Sequence, residues 1–301
     1  MNPALTVYNN VVKEFINTDF EIQTLASDCL FTEGPVWNAK EGYYLFSDIT
    51  GNCVYKIEPG KPKEVFISNS GTDKDQDPYV KTDQRGSNAL AYDHDGNLLV
   101  CQHGGHGIAK FDGTRLQPFI NSYQGRPFNS PNDFILHPDG RLWFSDPPYG
   151  LKDGQRNPEK FQPIAGVYCW KDGALEMICD KYKYPNGVCL SPDHKLLYIC
   201  SNKPFEKFVS LYNADNNQYI KTFIEENSDG IEPDRRGNIY LCNKDGLIIV
   251  SPEGERLALI QLPTIPANIC WGGPDLNDLF VTARQNVFLI SNLQSPGNPR
   301  P

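Results

Sequence analysis

Residues 130–150, Ser130-Pro131-Asn132-Asp133-Phe134-Ile135-Leu136-His137-Pro138-Asp139-Gly140-Arg141-Leu142-Trp143-Phe144-Ser145-Asp146-Pro147-Pro148-Tyr149-Gly150, read as one β-hairpin. A short apolar run meets an Asp-Gly turn and is answered by a second apolar run, a strong short-range hairpin pattern. A polar residue, Asn132, stands at the entrance, and an Asp-Pro-Pro loop lies at the exit.

The second run recurs along the chain. It returns as Tyr43-Tyr44-Leu45-Phe46-Ser47, Leu98-Leu99-Val100-Cys101-Gln102, Leu197-Tyr198-Ile199-Cys200-Ser201, Ile239-Tyr240-Leu241-Cys242-Asn243 and Leu279-Phe280-Val281-Thr282-Ala283. With Leu142 counted in, the first positions lie 55, 44, 55, 42 and 40 residues apart. Turn residues precede most copies: Asp95-Gly96, Asp139-Gly140, Asp193-His194 and Arg236-Gly237. Self-similarity at this period, with about four short strands per repeat, predicts an all-β, six-bladed β-propeller filling residues 1–301 as a single domain. A β-sandwich has as many strands but no reason to return to one phase six times. Residues 1–20 are an N-terminal extension, where Val7, Val11, Val12, Phe15 and Ile16 have helical spacing and predict a short helix over 7–16. Residues 21–25 predict a strand, and the polar, Asp-rich residues 68–84 predict a surface insertion.

Composition agrees with this outline. Apolar residues at 39% supply a sizeable core, and 25 Gly with 24 Pro suit a chain of many turns. A net charge of -9 disfavours nucleic acid or an anionic membrane as partner; independently of charge, the expected partner is a small molecule and the expected state a monomer or homodimer. Met1 to Asn10 lack the pattern of a secretory signal, and no apolar stretch approaches the roughly 20 residues that cross a bilayer. Nine cysteines without a C-x-x-C pair predict reduced, buried thiols in a cytoplasmic protein.

Counting back ten or eleven residues from each second run gives Glu33, Asn88, Asn132, Asn186, Asp229 and Asn268. Every repeat thus puts a carboxylate or an amide at the start of its innermost strand, and six such side chains would ring the propeller axis. Asn and Asp at strand ends commonly serve turns; six in one phase argue for a ligand. Converging carboxylates repel unless a cation neutralises them. Two carboxylates with amide oxygens form a hard donor set, which suits Ca²⁺, or Mg²⁺ or Mn²⁺ with more water, rather than a dedicated zinc site. Glu33, Asn132, Asn186 and Asp229 are each followed by Gly or Asp, expected to let the backbone bend where a ligand approaches. The loops leaving the second strands are expected to face the same point. They put His103 and His106 within reach of a substrate, whereas His94, His137 and His194 lie in the opposite turns.

Glu33-Gly34-Pro35-Val36-Trp37, Leu45-Phe46-Ser47-Asp48, Cys101-Gln102-His103-Gly104, Ser130-Pro131-Asn132-Asp133 and Trp143-Phe144-Ser145-Asp146-Pro147-Pro148-Tyr149-Gly150 together resemble the gluconolactonase branch of the SMP-30/gluconolactonase/luciferin-regenerating-enzyme family. Pro185-Asn186-Gly187 and Ser228-Asp229-Gly230 match its later motifs. The resemblance implies a six-bladed propeller that hydrolyses lactones with one catalytic divalent cation, Ca²⁺ first, with Mg²⁺, Mn²⁺ or Zn²⁺ as alternatives. It carries metal ligation onto Glu33, Asn132, Asn186 and Asp229. Animal members have Arg where Ser130 stands, so the sugar contacts of that branch do not transfer. The expected reaction is metal-dependent hydrolysis of a sugar 1,5-lactone such as gluconolactone. Asp229 is expected as general base, with Asn88, His103, Asn132 and Tyr149 on the substrate. The rival readings are an organophosphate-ester hydrolase on the same metal and a non-catalytic ligand-binding propeller.

Overall fold

A computed structural model describes residues 2, 4–74, 77–152, 160–295 and 297–298, and in it the repeats become six antiparallel sheets arranged as the blades of a propeller. The innermost strands are Thr32–Asn38, Ser87–Tyr92, Phe134–Leu136, Val188–Leu190, Ile231–Pro233 and Asn268–Gly272. Each touches the next around the ring, and the last returns to the first. Within a blade the chain steps outward strand by strand. The sixth blade is completed from the other end of the chain: Glu21–Ala26 pairs with Asn286–Ser291 and closes the ring.

The hairpin of residues 130–150 forms as its pattern dictates. Phe134 pairs with Phe144 and Leu136 with Leu142, and Gly140 takes the left-handed turn at φ 89°. Gly96, Gly237 and His194 occupy the same turn position at φ 80°, 84° and 59°. Both faces of most blades are covered, so the second strands read as continuous apolar runs. Alternate side chains serve different neighbours: Leu142 and Phe144 pack between blades two and three, while Trp143 packs between three and four. Six such apolar layers, one per blade interface, make up the core. All nine cysteines are buried free thiols. No helix among the described residues is long and apolar enough to cross a membrane.

The N-terminal segment differs from its expected helix. Leu5–Val7 is a strand, added beside Arg256–Ile260 as a fifth member of blade five, and Asn10–Glu14 form only a 3₁₀ turn. The expected apolar stripe is half right: Val12, Phe15 and Ile16 are buried in the layer between blades five and six, whereas Val11 is exposed. The physical reason is tethering at both ends. The Tyr8 and Asn9 amides bond Leu257 and the Asn17 amide bonds Leu293, so too few free residues remain to propagate an α-helix.

Residues 69–86 connect blades one and two where residues 68–84 were expected to form an insertion; residues 75 and 76 lie outside the described residues. The segment is strapped to the loop after the third blade's second strand. Val80 bridges Leu151, the Lys81 amide bonds Gly150, and the Lys152 amide bonds Tyr79.

Candidate active site

Three carboxylates shape the entrance to the axis by holding the loops that precede the innermost strands. Asp48 accepts the Leu30, Phe31 and Gly51 amides at 2.9–3.0 Å. Asp146 accepts the Asn129 and Ser130 amides at 2.9 and 2.8 Å. Glu206 accepts the Lys183 and Tyr184 amides and the Ser201 hydroxyl. Bonds to a charged acceptor are each worth about 1.5–3 kcal/mol, enough to fix a loop that has no strand partner. Ser130 adds a further pin, donating to the Pro147 carbonyl and accepting from the Gly150 amide, and so fixes the loop that carries Tyr149.

These loops deliver Glu33, Asn88, Asn132, Asn186 and Asp229 to one cavity of about 230 Å³, together with Tyr149, Asn202, Lys203 and Arg284. Asn268, the sixth residue in phase, is not on the wall of this cavity, and its side chain acts on Glu33 by lowering the carboxyl pKa. Glycines make this convergence possible in a way the sequence reading misjudged. A Cβ on Gly34 would lie 2.1 Å from the Asn88 carbonyl, one on Gly187 would lie 2.5 Å from the Asp229 carbonyl, and one on Gly230 would lie 2.3 Å from Asn268 Oδ1. They admit the next blade rather than a ligand.

Electrostatics single out two groups. Glu33 is 3% exposed, and burial followed by the nearby Asp229 charge raises its carboxyl well above the usual range. Burial also raises Asp229, while Asn202, Arg284, Asn186 and Lys203 pull it back. Asn186 Nδ2 and Asn202 Nδ2 both donate to Asp229 Oδ1, at 2.6 and 3.1 Å. The Tyr149 hydroxyl donates to Asn202 Oδ1 at 2.7 Å, completing a chain of oriented amides. Among the described residues no three of His, Cys, Asp and Glu gather as a metal cluster, so any cation here would take amide oxygens beside the two carboxylates.

His103 stands behind Asn88 rather than on the cavity wall, with Nε2 3.5 Å from Asn88 Nδ2 and Nδ1 3.2 Å from the Gln84 carbonyl. Burial pushes its pKa down to about 4, so it is a neutral prop for the Asn88 amide near pH 7. Asn88 Oδ1 is buried without a partner. His106 is turned away, bonding the Asn129 carbonyl at 2.7 Å and packing on Phe161. Sequence reasoning put Asn202 in an exit loop facing the axial point without naming its partner, and assigned no role to Asp133, whose buried carboxylate accepts the Phe134 and Val188 amides. The signal for Asn202 was its place just past the fourth second-strand run.

Residues 31–285 match the family model described as SMP-30/Gluconolactonase/LRE-like region. The gluconolactonase of Zymomonas mobilis is 30% identical over 95% of this chain and 85% of its own length. The solved structure of a gluconolactonase from Xanthomonas campestris superposes with a TM-score of 0.81 at 22% identity, covering 95% of this chain and 94% of that one. A calcium-binding protein, regucalcin, from Agrobacterium tumefaciens superposes with a TM-score of 0.75 at 19% identity, covering 94% and 97%.

Proposed function

The chain belongs to the SMP-30/Gluconolactonase/LRE-like family, and from that premise we propose that it is a lactonase acting at the axial cavity on a sugar 1,5-lactone such as gluconolactone. The observation that carries this reading is the meeting of Glu33 and Asp229, from blades one and five, in one cavity with the amide side chains Gln84, Asn88, Asn132, Asn186 and Asn202. A cavity of about 230 Å³ suits one small ring better than a drug-sized ligand, which takes about 300–1,000 Å³.

The donor set fits a divalent cation. Two carboxylates that burial drives toward protonation, Glu33 the more so for the nearby Asp229 charge, beside the unpartnered Asn88 Oδ1, are what an ion of charge two would relieve. Glu33, Asn132, Asn186 and Asp229 would hold it, Ca²⁺ by preference for oxygen donors, and it would supply Lewis acidity toward an ester carbonyl. Asn132 and Asn186 add donors without adding charge. Asp229 is the general base: both amide bonds land on Oδ1, leaving Oδ2 to take the proton of the attacking water. That proton returns to the ring oxygen as the acyl–oxygen bond breaks, giving the hydroxy acid. Asn88 Oδ1 and the Tyr149 hydroxyl orient the hydroxyls of the substrate ring.

A substrate panel tests the assignment. Gluconolactone, followed by acid release, is expected to open with a kcat within the ordinary enzymatic range of about 1–10³ s⁻¹, and a fluorophosphate ester far more slowly. A faster fluorophosphate reaction would establish the organophosphate reading. Binding of the lactone without turnover would make the protein a ligand-binding propeller.

A further inference from the structure

Two cations on the cavity rim have no carboxylate of their own. Lys203 lies on the loop leaving the second strand of blade four, and Arg284 follows Asp278–Ala283 in blade six with φ 57°. Both line the cavity, yet neither makes an ion pair among the described residues. They rest on aromatic faces instead. Lys203 Nζ is 4.8 Å from the ring centroids of both Tyr149 and Tyr184, and the Arg284 guanidinium is 5.1 Å from that of Phe31. Neither nearby carboxylate pairs with them among the described residues: Asp229 gives Oδ1 to two amides, and Glu206 takes the Lys183 and Tyr184 amides and the Ser201 hydroxyl. A third cation on the wall, Lys81, has a partner, Asp83, at 3.3 Å.

The cations also oppose one another. Burial pulls the Lys203 ammonium below its usual pKa; the Asp229 and Glu206 charges oppose this, and Arg284 and Lys81 add to it as like charges. Cations that feel nearby carboxylates but hold no ion pair among the described residues keep donors for an arriving anion. Their placement is polarised as well, since Glu33 is buried while Lys203 is half-buried and Arg284 exposed.

We propose that Lys203 and Arg284 form an anion subsite, and that the preferred substrate is a lactone bearing an acidic group, carboxylate or phosphate, remote from its ester carbonyl. The inference rests on the lactonase reading and narrows its substrate class. The ester enters toward Glu33 and Asp229 while the acid stays at the rim, where the guanidinium and ammonium donate to its oxygens. An open groove that adjoins the same rim carries Lys74 and Lys81, paired with Asp77 and Asp83, together with Arg85 and Lys152, and leaves room for the larger phosphate.

The test compares kcat/KM for a neutral sugar lactone, a sugar lactone with a free carboxylate and a phosphorylated sugar lactone. Wild type is expected to prefer one acidic lactone over the neutral one by at least about tenfold, chiefly through KM, with the preference shrinking as salt rises. The Lys203→Met/Arg284→Gln double variant is expected to bring that ratio close to one, and Lys203→Arg to retain it. The two acidic arms identify the group. A wild-type preference for the neutral lactone, or an acidic preference that survives in the double variant, would overturn the subsite while leaving the lactonase assignment intact. Failure of wild type to open any of the three would instead overturn the lactonase assignment.

Discussion

Asp229→Asn is expected to lower kcat for lactone opening by about a thousandfold, the usual contribution of a positioned general base being 10²–10⁴. The substitution isolates the chemistry because it preserves shape. Asn186 and Asn202 donate to Oδ1 of Asp229, and an asparagine carbonyl accepts both bonds at the same place. What is lost is the proton-accepting oxygen and one negative charge. A circular dichroism melt should show the fold intact, and kcat read at saturating Ca²⁺ separates the lost base from weaker metal binding. Retention of full turnover would remove Asp229 from the role of base and return attention to the other carboxylate, Glu33.

The largest effect on stability is expected at Gly34. Its φ of 49° lies in the left-handed region, and a Cβ there would meet the Asn88 carbonyl oxygen at 2.1 Å and Ala89 Cα at 2.5 Å. Both obstacles are backbone of the neighbouring blade, which cannot rotate away. Gly34→Ala should therefore cost about 3–5 kcal/mol, strain and overpacking together, read from the denaturant midpoint. Gly42→Ala is the control: its φ is 74°, with nothing within 4 Å of the added carbon, so only about 1–2 kcal/mol of backbone strain is expected. Equal losses at the two sites would mean that the contact between blades one and two is looser than the geometry implies.

Much of the fold was legible because a blade buries both faces of its second strand. Leu142, Trp143 and Phe144 must all be apolar, whichever interface each serves, and that requirement stamps a run that can be counted six times. The meeting of Glu33, Asn88, Asn132, Asn186 and Asp229 in one cavity was legible for the same reason, since the phase of each strand fixes which residue reaches the axis, although Asn268, in the same phase, is not on that wall. Closure was not. Residues 21–25 read as a strand, but nothing local states that its partner is Asn286–Ser291 at the far end of the chain. The N-terminal helix failed because tethers to Leu257 and Leu293 override the apolar spacing. Gly34, Gly187 and Gly230 were seen and given the wrong purpose, because an approach between blades leaves no mark in sequence that separates it from an approach by a ligand. Lys203, Arg284 and Asn202 come from exit loops, where phase no longer dictates direction and only coordinates reveal which side chains turn inward.

A lactone assay on protein stripped of divalent ions by a chelator, repeated after Ca²⁺ is added back, bears most directly on the axial site. The convergence of Glu33 and Asp229 predicts activity near background without metal and full recovery with it, and Glu33→Gln should recover far less at the same ion concentration. Undiminished hydrolysis by the stripped protein would contradict it.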